Sequence, residues 1–445
     1  MTANDSTGDD AIPAAPLAEA EASSLSTRYA LYALGIIFLA NFLSYLDRQI
    51  VSGLEDELTA AFGLGEAAYG ALWTAFTVGY MVFAPVIGAM VDRQNRPRLF
   101  AVCIFIWSLA TMWSGWAGLF QDLAGQLQLY TARFLIGIGE AGCLVIGPTL
   151  IADYFSRGVR GRALSIFFLG MPLGGMAGYA VAALATKHLG GWQNAFYFAG
   201  LPGIPLAIAV WLLVDPPREG EGPADGHGHG HGKFEGVGPY LELMKNRTLR
   251  FIILAQAFAV VILVPLLHFG VKFLQGKFDM TKEQATLRIG VIALVAGVLG
   301  NSLSGLIGDR LAGRMRGAYA LLAGVAYTVG APFLILGFAT TVEAVMLAAL
   351  TFGAFCFFLC MPAVNTQIAN VVPGHHRARA YALAVFILHL LGDTLAPILF
   401  GGASNVLGRE TAFIFFSCAL FASGVCALLA MRSAQHDEAS ILSRG

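Results

Sequence analysis

An apolar stretch long enough to cross a bilayer, about 20 residues, recurs twelve times in this chain: near residues 29–54, 67–90, 98–119, 126–154, 162–186, 193–213, 249–271, 284–307, 317–339, 343–369, 379–404 and 411–431. A bilayer offers no water to backbone N–H and C=O groups, so such segments close their hydrogen bonds within themselves, as helices. The expected fold is therefore an all-α membrane protein of twelve transmembrane helices. Composition agrees: 57% of the 445 residues are hydrophobic and 12% charged, against roughly 25% charged in soluble domains. Several segments exceed 25 residues, which implies tilt or extension beyond the lipid. A net charge of −1 gives no reason to expect nucleic acid as a partner.

Basic residues orient the helices. With the N-terminus in the cytoplasm, nineteen Arg and Lys fall on that side and six on the other, the bias expected of cytoplasmic loops. Residues 1–28 then form a disordered cytoplasmic tail, 29–213 one six-helix bundle, 214–248 a cytoplasmic linker, 249–432 a second bundle and 433–445 a second tail, with both termini inside. The N-terminal tail lacks the basic and short apolar regions of a signal peptide. In the linker, the alternation of His227, His229 and His231 with glycine reads as a solvated spacer rather than a metal site, because glycine gives no preformed geometry. Pro239-Tyr-Leu-Glu-Leu-Met reads as a short amphipathic helix. The six cysteines, including Cys356 and Cys360 four apart, read as small packing residues.

The two bundles are repeats. Gly88-Ala-Met-Val-Asp92-Arg93-Gln-Asn-Arg96 follows the second segment, and Gly305-Leu-Ile-Gly-Asp309-Arg310-Leu-Ala-Gly-Arg314 the eighth, with Asp92 and Asp309 separated by 217 residues. Arg160-Gly-Arg162 and Arg377-Ala-Arg379 are separated by 217 as well. Two motifs sharing one offset argue for a parallel repeat with a binding site between the halves near mid-membrane. An Asp near a helix end can accept backbone N–H groups of a neighbouring helix and pair with arginines, so Gly88, Asp92, Arg93, Arg96, Gly305, Asp309, Arg310 and Arg314 are expected to form gating loops.

Charges inside the apolar segments carry the functional reading. Asp47 and Arg48 lie in the first segment, Arg133 and Glu140 in the fourth. Each would cost about 2.5–3.5 kcal/mol at mid-bilayer if it faced lipid, so they are expected to face each other or a wet cavity. Arg133 and Glu140 are seven apart and share a helix face. Asp47 and Glu140 are expected to take and release protons, with Arg48 and Arg133 as counter-charges, one of which grips an anionic head group. A static ion network joining the first and fourth helices is the alternative. The second half has Val264 and Phe357 where the acids would recur, and offers His389 and Asp393, four apart on one face, as a titrating pair, a substrate contact or a gate. Gln256, His268, Asn301, Asn365 and Gln367 read first as helix–helix hydrogen bonds. No Ser-His-Asp order, metal cluster or phosphate loop stands out, so neither an enzyme nor a cofactor is expected.

These stretches resemble the major facilitator superfamily, and more narrowly its Spinster family. The resemblance rests on Asn41…Tyr45-Leu-Asp47-Arg48, Tyr80-Met-Val-Phe-Ala-Pro85-Val-Ile-Gly88, Gly137-Ile-Gly139-Glu140-Ala141, Pro148-Thr-Leu-Ile-Ala-Asp153 and His389-Leu-Leu-Gly392-Asp393. It covers nearly all of 29–431 and implies a secondary transporter of lysophospholipid or sphingoid-type amphiphiles, proton-coupled in some members, acting through Asp47, Arg48, Arg133 and Glu140. The short loops suggest a bacterial member in the inner membrane, and a monomer is expected. Gly170-Met-Pro172-Leu-Gly174-Gly175 follows the Gly-Pro pattern of antiporters only loosely, which leaves symport or antiport open. A drug or small organic-anion carrier and a non-transporting membrane sensor are the alternatives.

Overall fold

The computed structural model describes residues 25–120, 122–218 and 236–442. The N-terminal tail up to residue 24 and the His227, His229 and His231 stretch lie outside the described residues, as does the side chain of His268. Twelve helices are long and apolar enough to cross a membrane: α1 Thr27–Gly53, α2 Ala68–Val91, α3 Arg96–Leu119, α4 Leu123–Tyr154, α5 Arg157–His188, α6 Gln193–Trp211, α7 Arg247–Leu267, α8 Lys282–Ala312, α9 Ala318–Ala339, α10 Glu343–Val371, α11 Gly374–Leu407 and α12 Arg409–Ile441. The chain is a multi-pass integral membrane protein, and its described residues contain no strand.

Local chemistry sets the helix starts. Ser26 caps α1 by accepting the N–H of Tyr29, Asn95 caps α3 at Arg98, and Asn246 caps α7 at Leu249. Thr281 and Gln284 form a reciprocal capping box at α8. The short helix expected near Pro239 spans Gly238–Leu243. Its Tyr240 hydroxyl donates to Pro85 O, and burial pushes that phenol up to about 12. The last helix runs on to Leu442, through most of the expected tail. There Glu438 is buried and accepts the N–H of Gly317 at 3.2 Å and the Gln367 amide at 2.7 Å.

Within the first half, α4 is the central strut. A Cβ at Gly137 would lie 2.1 Å from Phe76 O, and one at Gly139 2.6 Å from Cys103 O. Only glycine lets α4 approach α2 and α3 this closely, which fixes the depth at which Arg133 and Glu140 enter the core.

The halves meet along α5–α8 and α2–α11. A methyl group added at Gly305 would meet the Arg162 backbone at 2.5 Å and one at Gly297 would meet Pro172 at 2.6 Å, whereas one at Gly290 would reach only the tip of Met176, at 3.8 Å. The interface is thus tight at the arginine-rich end and loosens toward the other. At that opposite end, Lys282 and Asp56 join the halves across 3.4 Å, both well exposed.

Candidate functional site

The arginine-rich end is locked by two pairs of contacts that repeat with the 217-residue offset. Asp92, just after α2, pairs with Arg379 of α11 at 2.6 Å, and Asp309 of α8 pairs with Arg162 of α5 at 2.8 Å. Asp309 also accepts the backbone N–H groups of Gly161 and Arg162, at 3.1 and 3.2 Å, and the Tyr319 hydroxyl. Arg377 reaches from α11 to Asp153 on α4, while Arg160 reaches from α5 to Asn370 on α10 at 2.8 Å. Each of these two arginines also donates to a backbone carbonyl of its own half, Arg377 to Ala369 and Arg160 to Ala152. Asp153 additionally pairs with Arg96, which Asp215 holds at 2.7 Å.

The expected gating loops therefore lie at the joint between the halves. Gly88 packs against Ala382 and the Ala378 carbonyl, and Gly305 against Gly161 and Arg162. Asp92 and Asp309 find their partners in the Arg-x-Arg loops of the opposite half. Arg93 lies in the first loop, and Arg96 is drawn inward to Asp153 and Asp215. Arg310 and Arg314 are exposed and join no ion pair among the described residues. The residues Asp153, Arg160, Asn370 and Arg377 were not singled out as gate residues in the sequence. The shared offset from Asp153 to Asn370 was the signal available there.

The four intramembrane charges come together in one buried layer. Arg48 donates to Glu140 at 2.8 Å, and the Ser44 hydroxyl donates to the same oxygen at 2.9 Å. Asp47 accepts the Thr111 hydroxyl of α3. The Arg48 guanidinium stands 4.8 Å from the ring centres of Tyr45 and Phe76 and 5.3 Å from that of Tyr80. Arg133 lies 5.2 Å from the Phe76 ring, so the two guanidinium groups share one aromatic ring, a favourable cation–π setting. None of the four is scattered onto a lipid-facing surface: Asp47, Arg133 and Glu140 are at most 1% exposed.

Arg133 is the anomaly. All three of its nitrogens are buried and none makes a hydrogen bond. Beside it Asp47 Oδ1 and Glu140 Oε1 are also buried and unpartnered. A buried polar group ordinarily has a partner, and a buried charge without one costs several kcal/mol. Unspent hydrogen-bonding capacity of both signs in one layer fits groups that change partners.

In the second half His389 bonds Asp393 through Nδ1. The His389 ring packs against Tyr80 of the first half with centroids 4.5 Å apart and the ring planes tilted by 56°. The pair sits in a π-helical turn, His389–Leu395, inside α11. Of the remaining polar candidates, Asn301 donates to Phe168 O at 3.0 Å and Asn365 to Met361 O at 2.8 Å, while the Gln256 Oε1 is buried and unpartnered. An apolar recess of about 550 Å³ lies away from this layer, between α8 and α10, lined by Val295, Leu299, Leu347, Phe352 and Phe355.

Two six-helix halves, an offset-repeated lock at one end and an ionised layer at the centre define a secondary transporter. The family model "Major Facilitator Superfamily" matches residues 37–397, and the chain belongs to that superfamily. Within it the chain is a Spinster-type transporter. It is 30% identical over 430 residues to "Protein spinster homolog 1" of Xenopus tropicalis, covering 92% of this chain and 80% of the relative. It is 28% identical over 413 residues to "Protein spinster" of Drosophila melanogaster, covering 90% of this chain but 66% of the fly protein. It is 29% identical over 404 residues to the "Sphingosine-1-phosphate transporter SPNS2" of Danio rerio, covering 88% and 79%. Among solved structures, a bacterial homologue of the human lysosomal transporter Spinster, in an inward-facing and unoccupied conformation, superposes with a TM-score of 0.58 at 22% identity, covering 94% of this chain and 99% of that one.

Proposed function

We propose that this transporter moves a lipid-like amphiphile of lysophospholipid or sphingoid type by alternating access, coupled to protons, in the inner membrane of a bacterium. The arginine-rich end is then cytoplasmic, with both termini on that side, and the halves 29–213 and 249–432 rock about the central layer. Asp47 and Glu140 carry the protons. Arg48 and Arg133 are counter-charges, and an anionic head group takes up the free donors of Arg133. His389 and Asp393 contribute from the second half.

The observation that carries this reading is the buried Arg133, whose three nitrogens lack a partner while unpartnered carboxylate oxygens of Asp47 and Glu140 lie in the same layer. Proton binding at Glu140 removes the partner of Arg48, so charge and conformation change together. The relative named as a sphingosine-1-phosphate transporter supports a zwitterionic or anionic lipid head.

The test is uptake of a labelled lysophospholipid by the purified protein in liposomes, with and without a pH gradient. The gradient is expected to speed uptake severalfold, and Arg133→Ala to abolish it. Flux indifferent to the gradient would remove proton coupling. Flux of a small organic anion with none of the lysolipid would replace the substrate class.

A further inference from the structure

Tyr80 lies between the charge layer of the first half and the His389–Asp393 pair of the second. Its side chain is fully buried. Its ring lies 5.3 Å from the Arg48 guanidinium on one side and 4.5 Å from the His389 ring on the other. Its hydroxyl has no hydrogen-bond partner, so the ring, not the hydroxyl, makes the connection.

His389 opens the π-helical turn of α11. A π turn differs from an α-helix by one residue of hydrogen-bond register, and such turns inside α-helices are frequent at functional sites. The turn is clamped from two directions. Tyr80 of α2 presses on His389, and Gly392 leaves so little room that an added Cβ would lie 2.2 Å from Val260 of α7. The ionisable groups that face Tyr80 are Arg48 and Tyr45 from α1, Glu140 and Cys143 from α4, and His389 with its partner Asp393 from α11.

We propose that Tyr80 is a positioning residue that couples the two halves: Arg48 cannot leave Glu140 without freeing the ring that holds His389 and the π turn. This rests on the proton-linked reading above. Proton binding at Glu140 releases Arg48, the Tyr80 ring follows, and α11 is free to change register relative to α2. Coupling of this kind needs an element with two discrete arrangements, and the turn at His389–Leu395 supplies it.

The test needs no knowledge of the substrate. Spin labels on Asp56→Cys and Lys282→Cys report the separation of the halves at the opposite end from the lock. The full chain in lipid nanodiscs, with the accessible Cys418 and Cys426 replaced by Ser, is titrated from neutral to mildly acidic pH. The wild type and Tyr80→Phe are expected to redistribute between two distances with the same midpoint. Tyr80→Leu and His389→Ala are each expected to move that midpoint by about one pH unit, a tenfold change in equilibrium. The double variant should move it no further than either single one. A Tyr80→Leu titration that follows the wild type, or a double variant whose shift is the sum of the two, overturns the proposal. A wild type that does not respond to pH overturns the proton-linked reading and this coupling with it. If Tyr80→Leu does not fold, His389→Ala and Tyr80→Phe decide: a Tyr80→Phe shift as large as that of His389→Ala would contradict a connection made by the ring.

Discussion

At the arginine-rich end the halves mirror one another: Asp92 meets Arg379 as Asp309 meets Arg162, and Arg377 meets Asp153 as Arg160 meets Asn370. At the membrane centre they do not. The residues 217 positions beyond Asp47, Arg48, Arg133 and Glu140 are Val264, Pro265, Leu350 and Phe357. In the alternating access proposed here the lock has to release on both sides together, which is in keeping with its presence in both halves. An ionised layer is different. A second set of charges facing the first would add several kcal/mol of desolvation per ion. From the second half His389, paired with Asp393, packs against Tyr80.

The lock itself contains one asymmetry. Asp153 carries a charge where its counterpart Asn370 does not. The two outer pairs also differ in exposure, since the Arg162 side chain is 50% exposed and the Arg379 side chain 7%.

The largest effect is expected at the centre. Glu140→Gln leaves Arg48 buried without its ion partner, which should cost about 3–5 kcal/mol and reduce reconstituted lysophospholipid flux to background. Thermal melting and liposome uptake check the two together, and unchanged uptake with unchanged pH dependence would make the layer a static network.

A smaller effect is expected where the halves differ by one charge. Asp153→Asn removes the charge that Arg377 reaches across the halves, while Arg96 keeps Asp215, and should favour the open lock by roughly 3 kcal/mol. Asn370→Asp should act the other way by about 1.5–3 kcal/mol, because it turns a neutral acceptor into a charged one. Thiol labelling of a cysteine placed at Ala378, beneath the lock, should rise in the first variant and fall in the second. Equal behaviour of the two would mean that the asymmetry has no energetic consequence.

The smallest difference separates the outer pairs. Arg379→Ala should weaken the lock by about 2–3 kcal/mol, as for a hydrogen bond to a charged, largely buried group. Arg162→Ala should cost at most about 1 kcal/mol, since exposed pairs are screened and Asp309 keeps the Gly161 N–H and the Tyr319 hydroxyl. The same labelling assay ranks them, and a larger effect at Arg162 would reverse the comparison.

Much of this was legible in the residues. The hydrophobic spans gave the helices, because a bilayer allows an apolar chain little else. The recurring Gly-Asp and Arg-x-Arg motifs gave the repeat and the place of the lock. The cost of charge in lipid, with the seven-residue spacing of Arg133 and Glu140, was enough to expect the charges to face inward. What could not be read was which group meets which. Nothing local marks Arg48 rather than Arg133 as the partner of Glu140, Thr111 as the donor to Asp47, or Arg379 as the partner of Asp92.

The chain by itself determined how many times it crosses the membrane, that it does so in two related halves, and that a few ionised residues must turn inward. Those follow from solvation, which acts on each segment separately. Only the tertiary structure decided that Arg133 would be left without a hydrogen bond, that Tyr80 would stand between Arg48 and His389, and that the halves would be locked at one end and loose at the other. These depend on distances between helices far apart in sequence, which the close glycine packing of α4 on α2 and α3, and of α5 on α8, sets.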